Sequence, residues 1–325
     1  MHIGLVGSAR YGVSEPFAGG LESHVATMRN LLEARGHEVT ILPGPDHDFV
    51  PSESAVRDVS ASSASAIYEH HAYLASLLDL PDDLSVLHNH SVHYLPVALA
   101  PALPVPMITT LHSPPTPWLE SAFVAARRRT GPVVSVSKAN SRQWRRSVRP
   151  CGVVRNGVDL GRFRMGRGGG GYAVWTGRVV PEKGLVSAIA AARIARTGLR
   201  IAGPVHDEVH FEQVIAPLLG DDVTYEGHLA REALNDLVGG AEVALATPHW
   251  DEPYGLVVAE ALAMGTPVAA FARGGIPEIL DGSTGRLAAP GDLEGLAEAI
   301  ASAQRLDRED CRRRAERHCD AARMV

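Results

Sequence analysis

Residues 173–185 read AVWTGRVVPEKGL, which is a short apolar run, a glycine-containing loop and the start of a helical pattern. The run Ala173–Thr176 has the character of a buried strand, and apolar residues recur at helical spacing from Leu185 to Ala195. Loops that join a strand to a helix in this way bind phosphates in α/β sheets. The loop contains Arg178 and Lys183, two cations suited to a diphosphate. The alternative is that both are ordinary surface charges.

The same alternation of strands and helices extends in both directions from this stretch. It is typical of parallel sheets covered by helices, so the predicted fold class is α/β with two Rossmann-like βαβ domains. The predicted strands are Ile3–Val6, Val39–Leu42, Val86–Leu87, Met107–Leu111, Val133–Val136, Ala173–Thr176, Leu199–Ala202, Val223–Glu226, Val243–Ala246 and Pro267–Phe271.

The length of 325 residues suits two domains, at roughly 100–200 residues each. The glycine-rich run within residues 166–171 has the composition of a flexible linker. We predict an N-terminal domain over 1–156, a linker over 157–171, a C-terminal domain over 172–303 and a helical tail over 304–325 that returns towards the N-terminal domain. Because ligands bind at the carboxyl ends of parallel strands, two facing sheets would place the site in the cleft between domains.

Composition excludes several classes of protein. Hydrophobic residues at 45% and charged residues at 21% allow packed cores and exclude wholesale disorder. A net charge of −6 argues against a nucleic-acid partner, and 5% aromatic residues are too few for a base-stacking surface. The three cysteines lack C-x-x-C spacing, so we expect neither a disulfide framework nor a zinc-cysteine site. A reducing, cytoplasmic location fits this cysteine usage.

Two stretches bear on membrane association. Residues 95–111 are apolar but contain four prolines, which exclude a spanning helix. Residues 121–150 contain eight basic and no acidic residues. This basic stretch is either a solvated helix face or a surface that meets an anionic acceptor or lipid. We expect no membrane association, and the oligomeric state is left open.

A second segment whose residues suit ligand binding or catalysis is Trp250–Glu260, which follows the predicted strand Val243–Ala246 and enters a helix. Glu252 lies just before the helix, and Glu260 lies within it, directed back towards the helix start. The unpaired amides at the helix start can bind an anion or sugar hydroxyls. Alternatively, Glu252 is only a favourable charge at a helix N-terminus. That reading leaves the apolar strand before it and the Gly-Thr-Pro break after it unexplained.

Five motifs in this order resemble those of retaining glycosyltransferases with the GT-B fold, specifically glycosyltransferase family four. The resemblance extends from Met1 to about Ala303. The motifs are G-G-x-E at Gly19–Glu22, T-x-H at Thr110–His112, a linker element at Asn156–Asp159, G-R-x4-K-G at Gly177–Gly184 and E-x7-E at Glu252–Glu260.

This resemblance implies four catalytic residues. Arg178 and Lys183 would neutralise the diphosphate leaving group, Glu252 would hold the donor sugar, and His112 would reach the reacting sugar from the N-terminal domain. Other residues would bind the donor through the distal phosphate, the ribose hydroxyls and the base. These donor-binding residues are Gly19, Gly20, Gly227, His228, Leu229, Pro253, Tyr254, Gly255, Leu256 and Glu260.

The resemblance therefore implies a cytoplasmic hexosyltransferase that retains the anomeric configuration. Its donor would be a nucleoside-diphosphate sugar, with a UDP-sugar favoured over a GDP-sugar, and its acceptor a small molecule, glycan or natural product. The rival hypotheses are a degenerate donor-binding protein and a nucleotide-sugar epimerase. A phosphorylase with a pyridoxal-phosphate lysine is disfavoured, because Lys138 and Lys183 are the only lysines in the sequence.

Two patterns invite a metal-site interpretation. Asp46-His47-Asp48 matches the D-x-D of metal-dependent glycosyltransferases, but it follows turn-forming prolines, and we interpret it as a turn. His88 and His90 point to the same side of a predicted strand, with His93 close behind. No carboxylate or cysteine completes a ligand set at a recognisable spacing. We therefore predict no metal site and no cofactor, and interpret the histidine pair as lining the acceptor cleft.

Overall fold

A computed structural model describes residues 1–43, 63–127 and 129–325. The chain divides into two compact units, Met1–Val154 and Arg155–Met324. Among the described residues, each unit contains one six-stranded sheet, and every strand pair within both sheets is parallel. The predicted α/β fold class is confirmed. No helix in the described ranges is both long enough and apolar enough to span a bilayer.

The sheet of the first unit has the order β2-β1-β3-β4-β5-β6. Its strands are β1 His2–Val6, β2 Glu38–Leu42, β3 Leu84–Asn89, β4 Met107–Leu111, β5 Val133–Ser135 and β6 Gly152–Val153. The accompanying helices are α1 Gly20–Ala34, α2 Ala64–Leu78, α3 Tyr94–Leu99, α4 Pro117–Ala125 and α5 Lys138–Trp144, with a 3₁₀ turn at Ala100–Ala102. All of β1 is buried, as expected of an interior parallel strand.

The sheet of the second unit has the order β12-β11-β10-β7-β8-β9. Its strands are β7 Tyr172–Thr176, β8 Gly198–Ala202, β9 Val223–Tyr225, β10 Val243–Ala246, β11 Val268–Phe271 and β12 Gly285–Ala288. Its α-helices are α6 Leu185–Ile194, α7 Glu208–His210, α8 Arg231–Gly240, α9 Leu256–Ala263, α10 Ile276–Ile279, α11 Leu293–Ala303 and α12 Arg308–His318. A π-helical stretch, Phe211–Ile215, extends α7, and 3₁₀ turns lie at Leu160–Arg162, Pro181–Lys183, Ala216–Leu218 and Ala321–Arg323.

The glycine-rich segment 166–171 is hydrogen-bonded to the rest of the second unit. The Gly166 amide donates to the Met264 carbonyl at 2.9 Å, and the Gly168 amide donates to the Gly239 carbonyl at 3.0 Å. A Cβ atom on Gly166 would lie 2.1 Å from the Gly239 carbonyl oxygen, so only glycine fits there. This part of the predicted linker is thus held on the second unit.

The tail of the chain is bound to the second unit through arginines of α12. Arg308 donates to the Gly239 carbonyl at 2.7 Å, and Arg312 donates to the Ala263 carbonyl at 2.6 Å. Ala263 is the last residue of α9. Cations beside the carbonyls at a helix C-terminus are stabilising, so these contacts fix both α12 and the end of α9.

Candidate active site

The strand order of the second unit reverses direction between β7 and β10. From β7 the chain continues to β8 and β9 on one side and then returns to β10 on the other. Loops that leave the carboxyl ends of such neighbouring strands open a crevice for ligands. The loop after β7 carries Arg178 and Lys183, and the loop after β10 carries Glu252. The topology therefore brings together the two loops singled out in the sequence.

Lys183 and Glu252 form an ion pair across this crevice. The Lys183 Nζ atom lies 2.7 Å from Oε2 of Glu252, and both side chains are mostly but not fully buried. The Trp250 Nε1 atom donates to the same carboxylate oxygen at 2.9 Å, and Lys183 Nζ lies 5.3 Å from the centre of a Trp250 ring. A cation and a carboxylate that were both predicted to touch the donor are thus paired in the free protein.

A close approach of two backbones holds this pair in position. Gly184 has a φ of +68°, and a Cβ atom there would lie 1.9 Å from the Thr247 carbonyl oxygen. The Thr247 hydroxyl donates to the Gly184 carbonyl at 2.9 Å, and the His249 amide donates to the Glu182 carbonyl at 2.8 Å. The final glycine of G-R-x4-K-G is therefore required by both its conformation and the space around it.

A third loop, Arg273–Gly275, supports Glu252 and was not singled out from the sequence. The Gly275 amide donates to the Glu252 carbonyl at 2.7 Å. Gly274 has a φ of +56°, and a Cβ atom on it would lie 2.0 Å from the same carbonyl oxygen. The signal in the sequence is a Gly-Gly pair separated by two residues from a buried strand, β11, where a backbone must pass close to another segment.

The start of α9 exposes amide groups next to Glu252. Gly255 precedes the helix with a φ of +106°, and no side chain caps it. In the described part of the chain the amides of residues 254–256 make no hydrogen bond. Pro253 and Tyr254 are buried, and the Tyr254 hydroxyl lies beside the Cys319 thiol. Tyr254 can therefore offer a ligand its backbone amide, and its side chain serves packing.

Glu260 lies further along α9 and is partly buried. Its carboxylate has no hydrogen-bond or ion-pair partner among the described residues. Burial disfavours the charged form and raises the pKa of Glu260 from 4.5 to about 7. An unpaired carboxylate at this depth suits a ligand that supplies hydroxyl donors.

Arg178 is accompanied by a histidine that the sequence analysis did not select. Arg178 is partly buried, and its guanidinium makes no hydrogen bond or ion pair with the described residues. Burial, followed by the charges of Arg178 and His228, lowers the pKa of His206 to about 4. His206 follows Gly203-Pro204 after β8, and His228 follows Gly227 after β9. The predicted residues Arg178 and His228 therefore lie near the same ring, and the carboxylate of Glu182, which acts on the pKa of His206 in the opposite direction, lies near it as well.

Glycines at the ends of β7, β8 and β9 bring these loops close together. The Gly177 amide donates to the Ala202 carbonyl at 3.1 Å, and the Gly203 amide donates to the Gly227 carbonyl at 2.9 Å. A Cβ atom on Gly203 would lie 1.9 Å from the Gly177 carbonyl oxygen. The predicted Gly227–Leu229 segment thus begins in this row of strand-end glycines. His228 itself is exposed, and Leu229 is partly buried.

The first unit holds the other predicted residues. Gly19 is the extended residue before α1, no side chain caps the helix, and Gly20 is its first residue. The Gly20 amide has no partner in the described segments, so this helix start can bind an anion. His112 directly follows β4. His24, one turn into α1, lies with its ring centre 4.7 Å from that of His112.

His112 belongs to a cluster of histidines at the carboxyl edge of the first sheet. Its Nε2 atom lies 3.0 Å from Nδ1 of His90, and the ring centres of His88 and His90 are 3.9 Å apart. The expected same-side placement of His88 and His90 is confirmed. Burial and neighbouring histidines hold the pKa values of His90 and His112 well below 6.5, and lower that of His24 to about 3. These rings are therefore neutral at pH 7.

The other residues considered for a metal site lie elsewhere. His93 caps α3 by accepting a hydrogen bond from the Leu95 amide at 3.2 Å, and its ring stacks on Tyr73. His93 therefore has a structural role apart from His88 and His90. The Asp46–Asp48 motif lies outside the residues that the structure describes.

Comparisons with known protein families agree with this architecture. Residues 18–162 match the family described as Glycosyltransferase Family 4, and residues 167–318 match the family described as Glycosyl transferases group 1. The chain is 30% identical to a glycogen synthase of Mycobacterium tuberculosis, over 87% of this chain and 82% of that protein. It is 28% identical to a phosphatidyl-myo-inositol mannosyltransferase of Mycolicibacterium smegmatis, over 92% of this chain and 84% of that protein.

Solved structures show the same fold. A sucrose-phosphate synthase from Thermosynechococcus elongatus superposes with a TM-score of 0.78 at 20% identity, covering 100% of this chain and 96% of that one. Anabaena HepE in complex with UDP-glucose superposes with a TM-score of 0.71 at 18% identity, covering 100% of this chain and 97% of that one. The architecture is that of GT-B glycosyltransferases, as the sequence motifs predict.

Proposed function

The chain belongs to glycosyltransferase family 4, and from that membership we propose a retaining, metal-independent transfer of a hexose from a UDP-sugar. The observation that carries this proposal is the crevice between β7 and β10. It combines Lys183 paired to Glu252, an unpaired Arg178 guanidinium and the free amides before α9. This set suits a diphosphate on one side and sugar hydroxyls on the other.

The proposed transfer depends on stabilising charge on the leaving group. As the bond from the anomeric carbon to the distal phosphate oxygen breaks, negative charge grows on the diphosphate. Lys183 and Arg178 would neutralise that charge, and the amides at the start of α9 would add oriented dipoles. Cations of the protein then serve in place of a metal ion. Glu252 would hold the sugar while Lys183 turns to the phosphate.

Retention of configuration is proposed from family membership. The acceptor hydroxyl would attack from the face that the diphosphate leaves, and its proton would pass to the departing phosphate oxygen. One carbon–oxygen bond forms as the other breaks. His112 is neutral and can donate or accept a hydrogen bond to the donor sugar without adding charge. Glu260 would accept hydrogen bonds from the ribose hydroxyls, and residues 227–229 would contact the base.

A UDP-sugar is favoured because Anabaena HepE, which shares the fold, is described in complex with UDP-glucose. The acceptor is proposed only as a hydroxyl compound. The named relatives act on different molecules: one is a glycogen synthase and another transfers mannose to phosphatidyl-myo-inositol.

The test has two steps. Thermal-shift measurements against UDP- and GDP-sugars should show the largest stabilisation with one UDP-sugar. Transfer or donor hydrolysis is then followed in excess EDTA, with the anomer of the product read by proton NMR. The proposal fails if no nucleotide sugar stabilises the protein. Loss of activity that magnesium or manganese restores would refute metal independence, and an inverted product would refute retention.

A further inference from the structure

Helices α4 and α5 form one layer on the first sheet. α4 joins β4 to β5 and α5 joins β5 to β6, and these three strands lie side by side in the sheet. Because crossovers between parallel strands are right-handed, both helices cover the same face of the sheet. The helices also contact each other, since the ring centres of Phe123 and Trp144 are 5.7 Å apart and the Ser147 hydroxyl donates to Glu120. Their outer sides therefore form one continuous surface, the α4–α5 surface.

The outer side of α5 and of the turn after it is a row of cations at helical spacing. Between positions 84 and 154 the sequence has eight basic residues and one acidic residue, Glu120. A cation in the last turn stabilises a helix, and Arg142 has that position in α5, but this accounts for only part of the row. Six arginines of the layer are exposed and make no side-chain hydrogen bond or ion pair with the described residues: Arg127, Arg129, Arg142, Arg145, Arg146 and Arg149.

The outer side of α4 is uncharged and partly apolar. Its exposed positions, 117, 118, 121, 124 and 125, lie on one side of the helix, opposite the buried positions 119, 122 and 123. Trp118 is 57% exposed and Val124 is 73% exposed, so packing within the chain does not account for either side chain. Tryptophan is enriched where a protein meets the boundary between membrane and water.

We propose that the α4–α5 surface docks on a lipid bilayer that contains anionic lipids. Guanidinium groups without a carboxylate partner complement phosphate headgroups, and clusters of roughly four to eight basic residues are typical of such surfaces. Trp118 and Val124 would enter the boundary between headgroups and acyl chains. These exposed apolar side chains favour a bilayer over an acidic protein, and the net charge of −6 disfavours a nucleic acid.

The placement of the surface is compatible with ligand binding by the first unit. The α4–α5 surface lies over one face of the sheet, whereas His112 and the start of α1 lie at its carboxyl edge. Docking through the face would leave that edge open. The proposal replaces the expectation, drawn from the sequence, that the chain does not associate with membranes. It does not depend on the proposed donor site around Lys183 and Glu252.

Flotation of the intact chain with lipid vesicles tests the surface. We expect binding to vesicles of phosphatidylcholine with phosphatidylglycerol, weaker binding as salt is raised, and no binding to phosphatidylcholine alone. The quadruple variant Arg142→Gln/Arg145→Gln/Arg146→Gln/Arg149→Gln should bind more than about 100-fold more weakly, since each cation near an anionic surface contributes about fivefold.

The matched control removes four exposed arginines of the second unit, in Arg167→Gln/Arg196→Gln/Arg305→Gln/Arg323→Gln. It changes the net charge equally and should bind within a few-fold of the wild type. If the first quadruple variant does not fold, Arg142→Gln/Arg145→Gln and Arg146→Gln/Arg149→Gln replace it, and each should weaken binding by about 25-fold.

Tryptophan fluorescence supplies a second readout. Anionic vesicles should shift the emission of the wild type to shorter wavelength, and Trp118→Phe should still bind but lose most of this shift. No binding to anionic vesicles, or equal binding by the folded arginine variants and the control, would overturn the proposal. Binding to polyglutamate without binding to vesicles would also overturn it and assign the surface to an acidic protein. UDP-sugar binding, measured without vesicles, should be unchanged in the arginine variants, so it tests the donor site separately.

Discussion

Nζ of Lys183 lies 2.7 Å from Oε2 of Glu252, although 69 positions separate the two residues. In the free protein, the cation suited to a diphosphate is therefore neutralised by a carboxylate suited to the donor sugar. Binding of the donor would give each group a new partner: phosphate oxygens for Lys183 and sugar hydroxyls for Glu252. This exchange predicts opposite effects of the two residues on nucleotide affinity.

We expect Lys183→Met to weaken UDP binding by about 2–4 kcal/mol, because a charged contact in a largely desolvated site is lost. Glu252→Gln should instead strengthen UDP binding by a few tenths to about 1 kcal/mol, since it frees the ammonium of a partly exposed pair. The same Glu252→Gln variant should lower kcat with the nucleotide sugar. Isothermal titration calorimetry with UDP and steady-state kinetics measure the two effects. Weaker UDP binding by Glu252→Gln would show that the ion pair does not compete with the nucleotide.

Arg178 makes no ion pair with the described residues and shares its environment with His206 and His228. A diphosphate would supply an ion-pair partner for its guanidinium. Arg178→Ala should therefore weaken UDP binding by about 2–4 kcal/mol and lower kcat/KM. Arg305→Ala, at an exposed position of the same unit, is the control for a general loss of positive charge. Equal UDP affinity in the two variants would show that Arg178 does not contact the nucleotide.

Gly184 connects the fold to the site. A side chain there meets both a φ of +68° and the Thr247 carbonyl, 1.9 Å from the position of Cβ. We expect Gly184→Ala to lower the free energy of unfolding by at least about 2 kcal/mol, since the left-handed conformation alone costs about 1–2 kcal/mol. Gly282→Ala is the matched control, because nothing lies within 4 Å of its Cβ position. Urea denaturation compares the two. Similar free energies of unfolding in the two variants would mean that the loop accommodates the added side chain without loss of stability.

The sheets were largely predictable from the sequence because interior parallel strands are continuous apolar runs. The predicted Met107–Leu111 and Val243–Ala246 match β4 and β10 in both bounds. The two strands that the sequence analysis missed have weaker patterns. β6 has only two residues, Gly152–Val153, and β12 reads Gly-Arg-Leu-Ala. β6 pairs with β5 and β12 pairs with β11, so each is held in its sheet by a neighbouring strand.

The contacts within the candidate sites were less predictable, because they depend on which strands are neighbours. Strand alternation was enough to place His88 and His90 together. Adding His24 and His112 requires the sheet order β1-β3-β4, which places loops distant in sequence at one edge. Likewise, the pairing of Lys183 with Glu252 depends on β7 lying beside β10. Motif spacing alone does not contain that information.

Glu260 predicts a pH dependence of donor binding. Burial raises the pKa of its carboxyl to about 7 in the free protein. Ribose hydroxyls that donate to the carboxylate would favour the ionised form and lower this pKa in the complex. Binding then releases a proton, so affinity should rise with pH up to about 7 and level off above it, by at most about tenfold per pH unit. UDP-glucose is the suitable ligand, because its diphosphate has no proton that titrates near pH 7.

Glu260→Gln is the matched variant for this dependence, since it keeps the shape of the side chain and removes the titration. We expect it to flatten the affinity profile and to raise the donor KM more than it lowers kcat, because a ribose contact is the same in ground and transition states. Calorimetry in buffers of different ionisation enthalpy measures the released proton directly. An unchanged pH profile in Glu260→Gln would assign the titration to another group. A variant that mainly lost kcat would place Glu260 at the reacting sugar instead of the ribose.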